Sequence, residues 1–336
     1  MKKLSKKQQE WQVYRSKKIQ EKHKKRVYQS KKGVKSFVGN HDENYQAPDI
    51  FSFIENADET IEFFNGILNS IKLCRHSKKS IYIDIKSIKN VTIDAIMYLL
   101  TIINNLKMSY RFRIGFSGNM PDNPKLKQLI TESGFYKYVR KENDDPVNIN
   151  ENNLQIVAGD NCNVEFVTRI VDFVSKRCSS KKVIDSLYSM LIELTSNTEE
   201  HAYERKDKKC TDKKGLFNYR WYCYANCCDD KRISFSFVDN GRGITTTVKR
   251  YIRDIFNNDN RYLISALDGK CHRSRIEKPN RGFGLPTIRA LRKNNYIHNL
   301  HIITNKADII VNENDYTENN INNRLSGTLF YWEIFS

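Results

Sequence analysis

Glu193, Asn197 and His201 stand four residues apart in the run from Ile192 to Ala202, Ile-Glu-Leu-Thr-Ser-Asn-Thr-Glu-Glu-His-Ala. On an α-helix that spacing stacks them on one face. A carboxylate and an amide held there suit a metal-and-phosphate site, because an amide oxygen is a hard ligand and a carboxylate can take a proton. Asp239 opens a second group, Val238-Asp239-Asn240-Gly241-Arg242-Gly243-Ile244. An acid at a strand end followed by Gly241 and Gly243 permits a tight turn and close approach of backbone to a ligand. In a third group, Asn280 to Ile288, Gly282 and Gly284 open a helix whose first turn tolerates Pro286. Free N–H groups and the positive end of the helix dipole make such a start an anion site. Ser326-Gly327-Thr328 precedes the last strand.

The elements that must position these residues are legible in the apolar pattern. Val183, Leu187, Met190, Leu191 and Leu194 recur at spacings of three and four, a stripe that seats the helix from about Lys182 on a sheet and leaves the polar row at the core's edge. Before it come a strand, 154–158, and a helix, 164–176. After it, 217–225 and 232–238 read as a hairpin turning at Cys228-Asp229-Asp230. The Asn-rich stretch 312–323 reads as a surface loop. Upstream, helices at 54–73, 93–106 and 123–133 alternate with strands at 80–85 and 111–116, an α/β layer pattern. The polar segment 141–153, with Pro146, reads as a linker between a domain at 46–140 and another at 154–336.

The 336 residues allow two ordinary domains. The formal charge of +18 is concentrated at the start, where residues 1–36 hold fourteen Lys or Arg against Glu10 and Glu21. Such a segment within a basic arm, residues 1–45, is either solvated or a contact for nucleic acid. No run of residues is long and apolar enough for a transmembrane helix or a secretion signal, which points to a cytoplasmic protein without membrane contact. The eight cysteines lack paired Cys-x-x-Cys elements, and reduced thiols describe them better than a zinc site.

Two resemblances follow from these motifs. Ile81-Tyr82-Ile83-Asp84, the loop Lys89 to Asp94 and Gly134-Phe135 together resemble the STAS domain of anti-sigma-factor antagonists. Asp94 falls where regulated members carry a phosphorylatable Ser, and Thr92 remains a weaker acceptor. From residue 154 to 336, the Glu-x-x-x-Asn helix, Asp-x-Gly-x-Gly, Gly-x-Gly-Leu and Gly-Thr elements resemble the GHKL ATP-binding domain of DNA gyrase, the Hsp90 chaperone, histidine kinases and MutL. This resemblance implies a Bergerat-type α/β sandwich of helices on a mixed β-sheet, preceded by the smaller STAS-like α/β domain.

It also implies a Mg²⁺ ligand at Asn197 and an acceptor for the adenine amino group at Asp239. Gly241 and Gly243 would make room for the base. Gly282 and Gly284, followed by Leu285, would offer N–H groups to the phosphates, and Thr328 would support Asp239. Glu193 would polarise the attacking water. The segment from Thr245 to Arg281 is expected to be a lid, in which Lys270 and Arg275 either clamp the triphosphate or are solvated. The expected cofactors are therefore ATP and Mg²⁺, and the expected function is an ATP-driven switch with slow hydrolysis. A serine/threonine kinase acting on STAS-type partners is the alternative. Contact of residues 1–36 with nucleic acid, a protein partner or a homodimer is compatible with the switch.

Overall fold

The computed structural model describes residues 43–73, 79–109, 114–139, 152–162, 164–202, 221–229, 231–250, 256–270 and 284–335. Residues 1–42 of the basic arm, most of the linker segment, Arg275 and Gly282 lie outside the described residues, as does the side chain of His201, while 43–45 of the expected arm belong to the first strand of the fold. Among the described residues no helix is long and apolar enough to cross a membrane.

The N-terminal part runs β1 (Glu43–Gln46), β2 (Ile50–Phe51), α1 (Ala57–Leu73), β3 (Lys79–Asp84), β4 (Asn90–Val91), α2 (Ile93–Ser109), β5 (Ile114–Gly118), α3 (Pro124–Glu132) and α4 (Tyr136–Val139). β1, β3 and β5 form a parallel sheet in the order β1-β3-β5, with Glu43 opposite Ile81 and Lys79 opposite Ile114. Parallel strands need crossover connections, which α1 and α2 supply. At the start of α3, Asn123 accepts from the Lys125 N–H, and Pro124 occupies a position where no N–H is needed.

The C-terminal part continues with β6 (Asn153–Gly159), α5 (Val164–Ser175), α6 (Lys181–His201), β7 (Trp221–Asp229), β8 (Arg232–Asp239), α7 (Ile244–Val248), α8 (Asp259–Leu267), α9 (Gly284–Lys293), β9 (His298–Val311) and β10 (Tyr316–Phe335). Its five strands order as β6-β7-β8-β10-β9. Every pairing is antiparallel, so the sheet expected to be mixed is antiparallel throughout its described strands. One face carries α5, α6 and α9, whose Phe166, Ile170, Leu187, Leu191 and Ile288 pack with Trp221, Phe235 and Trp332 in one core. Phe235 and Trp332 stack with ring centroids 5.0 Å apart.

The opposite face is covered by the N-terminal part. Ile96, Met97, Tyr98, Leu99 and Leu100 are all buried, because α2 touches β5 on the small sheet and β7 and β8 on the large one. A helix apolar on all sides is one buried on all sides. Tyr222, Val238, Ile303 and Leu329 of the large sheet accordingly share a core with Phe51, Phe64 and Ile81 of the N-terminal part. At the rim, Asp58 accepts from the N–H groups of Asn322 and Asn323, and these bonds outweigh partial burial to lower its pKa.

Two expectations about the C-terminal part are corrected. The stretch 312–323 is not a loop: only 312–315 turn, and 316–320 pair with 307–311. The lid interval is not free throughout, since Leu263 and Leu267 of α8 are buried in the main core and α8 lies against β9.

Candidate functional site

The helix that carries Glu193 and Asn197 is α6. Leu187, Met190, Leu191 and Leu194 are fully or almost fully buried, as the stripe requires. Thr195 and Thr198 are also buried, and their hydroxyls donate to the carbonyls of Leu191 and Leu194 one turn back. This back-bonding satisfies polar side chains that would otherwise be stranded in the core. Glu193 is buried and Asn197 half-buried.

Both reach Gly284, the first residue of α9. A Cβ at position 284 would stand 2.6 Å from Glu193 Oε2 and 3.1 Å from Asn197 Nδ2. Glycine therefore lets the start of α9 approach the carboxylate and amide of the polar row on α6. Leu285 turns to apolar neighbours, packing against both the main core and the small cluster of Val248, Tyr262 and Ala266. Lys270 is engaged elsewhere: its exposed ammonium lies 3.3 Å from Asp268.

The second pole is built at the end of β8. Asp239 pairs in register with Thr328 of β10 and with Trp221 of β7. Its carboxylate accepts from the Gly241 N–H at 2.7 Å and from Thr328. Burial nevertheless pushes its pKa up from 3.8 to about 7, because these hydrogen bonds only partly offset the lost hydration. A buried acid with a raised pKa is a candidate for a functional group.

The two poles are joined by backbone. The Arg242 N–H donates to the Ala202 carbonyl at 2.8 Å, so the glycine turn caps the end of α6. A Cβ at Gly241 would come within 2.6 Å of that same carbonyl oxygen, and one at Gly243, where φ is +82°, would overlap the Asn305 amide. On the side where a side chain would project, the space left by both glycines is thus filled by protein. Asn197 lies five residues before Ala202, a rise of roughly 7.5 Å along the helix axis to the capped end.

Several residues that support this arrangement have no sequence signature. The Thr304 hydroxyl donates to the Gly327 carbonyl and accepts from the Ile244 N–H. Asn305, left-handed at φ 56°, accepts from the Thr245 hydroxyl and the Thr246 N–H and donates to the Arg242 carbonyl. Asp259, which falls in the expected lid, is a buried staple. Burial alone would raise its pKa, but Lys249, the Lys306 N–H and Thr245 together lower it. Only the strand register brings 304, 305 and 328 beside 239, and register is a long-range property.

Gly327 is the tightest point. Its φ is +116°, and a Cβ there would overlap the Asp239 carbonyl oxygen. Gly327→Ala is expected to lose about 3 kcal/mol or more, from left-handed strain and the backbone collision together. A denaturant midpoint equal to that of the parent would contradict this geometry.

Asp94 is 1% exposed at the start of α2, where it accepts from the Thr92 hydroxyl and the Phe53 N–H. Burial raises its pKa to about 6. Position 94 is thus sealed against the body of the protein, and an acceptor there would be out of reach of a kinase. Compared with family models and with curated proteins, the chain matches none at a significant level.

Proposed function

We propose that the chain is a GHKL-type protein that binds ATP with Mg²⁺ and works as an ATP-driven switch with slow hydrolysis. The observation that carries this reading is a pair of poles, one on α6 and one at the end of β8, where the glycine turn caps α6. At one, a buried carboxylate, Asp239, is held by Gly241 and Thr328. At the other, Glu193 and Asn197 face the start of a helix through Gly284. The first suits an amino-bearing base edge, which offers a donor to an acceptor. The second suits phosphate oxygens and a hard cation.

The donor set fits Mg²⁺ bound through its nucleotide. Among the described residues no group of three His, Cys, Asp or Glu is placed to hold a metal. Asn197 would supply one amide oxygen, with phosphates and waters completing the shell, since Mg²⁺ keeps several waters and takes few protein ligands beside a nucleotide. The cation would neutralise charge on the phosphates. Glu193, one helical turn before Asn197, would accept a proton from the water that attacks the terminal phosphorus, whose bond to the bridging oxygen of ADP breaks on the opposite side. The basic arm belongs to the same proposal as a contact for nucleic acid.

Titration of the full chain with ATP, with and without Mg²⁺, tests this reading. Asn197→Ala is expected to weaken binding tenfold or more in the presence of Mg²⁺ and to change little in its absence. A variant that binds Mg²⁺-ATP as well as the parent removes Asn197 from the site.

A further inference from the structure

Tyr98 lies within α2, in the N-terminal part of the chain, and is 1% exposed. Its hydroxyl donates to the Ser326 carbonyl at 2.7 Å. That carbonyl opens the Ser326-Gly327-Thr328 step, where the register of β10 shifts. Gly327 is pressed on the backbone of Asp239 and Asn240, and Thr328 faces Asp239 in register and hydrogen-bonds its carboxylate through side chain and backbone. A second tie reaches the same place from the same helix, the Asn240 amide donating to the Thr101 carbonyl at 3.5 Å. The turn carrying Asp239 is therefore braced from behind by a helix that precedes the ATP-binding half in sequence.

We infer that Tyr98 is a positioning residue for base recognition. By holding the Ser326 carbonyl it fixes the Gly327-Thr328 step, and through Thr328 the direction of the Asp239 carboxylate. The N-terminal α/β part thereby forms the back wall of the base pole. The inference rests on the ATP reading above and adds to it the means by which a change in the N-terminal part would reach the nucleotide. A change in the N-terminal part that broke the Tyr98–Ser326 bond would carry such coupling, since coupling needs a contact that differs between states.

Tyr98→Phe removes the hydroxyl and keeps the ring. In the full chain it is expected to weaken ATP binding about five- to tenfold, the scale of one buried hydrogen bond. Binding of purine riboside triphosphate, which lacks the amino group Asp239 would receive, is expected to be unchanged. Tyr222→Phe is the matched control. Its hydroxyl accepts from Asn104 at 2.8 Å and donates to the Leu100 carbonyl at 3.4 Å, two bonds in the same interface that run to α2 and not to Ser326. It is expected to lower the melting temperature while leaving both affinities as they are.

Equal loss for the two triphosphates in Tyr98→Phe, equal loss in the two variants, or no loss would overturn the inference. A parent chain that binds both triphosphates equally would instead remove Asp239 from base recognition, and the inference would fall with that premise.

Discussion

Glu193→Gln is expected to leave ATP bound and to cut phosphate release by about 10²–10⁴-fold, the usual worth of a positioned general base. The substitution keeps the shape of a side chain that is 7% exposed and abuts Gly284, so helix packing is preserved while proton acceptance is lost. An alanine would confound the two by opening space between α6 and α9. The measurement is single-turnover release of γ-labelled phosphate beside equilibrium binding of the same nucleotide. Unchanged release would show that Glu193 is not the base. Label transferred to protein in place of free phosphate would move the assignment from ATPase to kinase.

Glu193 is also a residue whose place is legible in the sequence, and the cause is local. The stripe from Leu187 to Leu194 fixes which face of α6 turns inward, and Glu193 and Asn197 follow at the stripe's margin by periodicity alone. Asp239 is legible for a related reason: strand alternation ends there and glycines begin. Local pattern suffices in both cases.

The features that local pattern misses depend on distant pairing. The stretch 316–320 is polar and rich in Asn, and nothing local marks it as a strand. It is one because Ile309, Ile310 and Val311 supply a partner edge and because α8 holds it, the Asn260 amide donating to the Asn319 carbonyl at 3.0 Å. Residues 259–267 are expected in a lid because they lie between the two glycine motifs, yet Leu263 and Leu267 bind that helix into the core. The apolar character of α2 is visible in the sequence, but its reason is not. A helix apolar on every side can lie at the centre of one domain or between two layers. Here it lies against the large sheet, and so the part upstream of the expected linker is continuous in packing with the part that carries the site.

Asp239→Asn is expected to make the chain more stable at alkaline pH and unable to bind ATP. In the native state burial holds this acid at about 7 against an ordinary value of 3.8. Between those values the native chain binds more protons than the unfolded one, so the contribution of Asp239 to stability falls as pH rises and levels off above about 7. The shift corresponds to a penalty on the order of 4 kcal/mol at pH 8.5. Asn removes that penalty but has one oxygen where the carboxylate has two, so either Gly241 or Thr328 loses an acceptor, at about 1–3 kcal/mol. Urea midpoints should therefore place the variant above the parent by about 1–3 kcal/mol at pH 8.5 and below it near pH 4, where both side chains are neutral. A difference that does not change with pH would mean that Asp239 is not held in its protonated form. ATP affinity in the parent should rise as pH passes through about 7, since only the carboxylate offers acceptors to Gly241, Thr328 and an adenine amino group together. A carboxylate that destabilises the free fold, kept where an amide would be more stable, is what a site selected for a ligand's donor would retain.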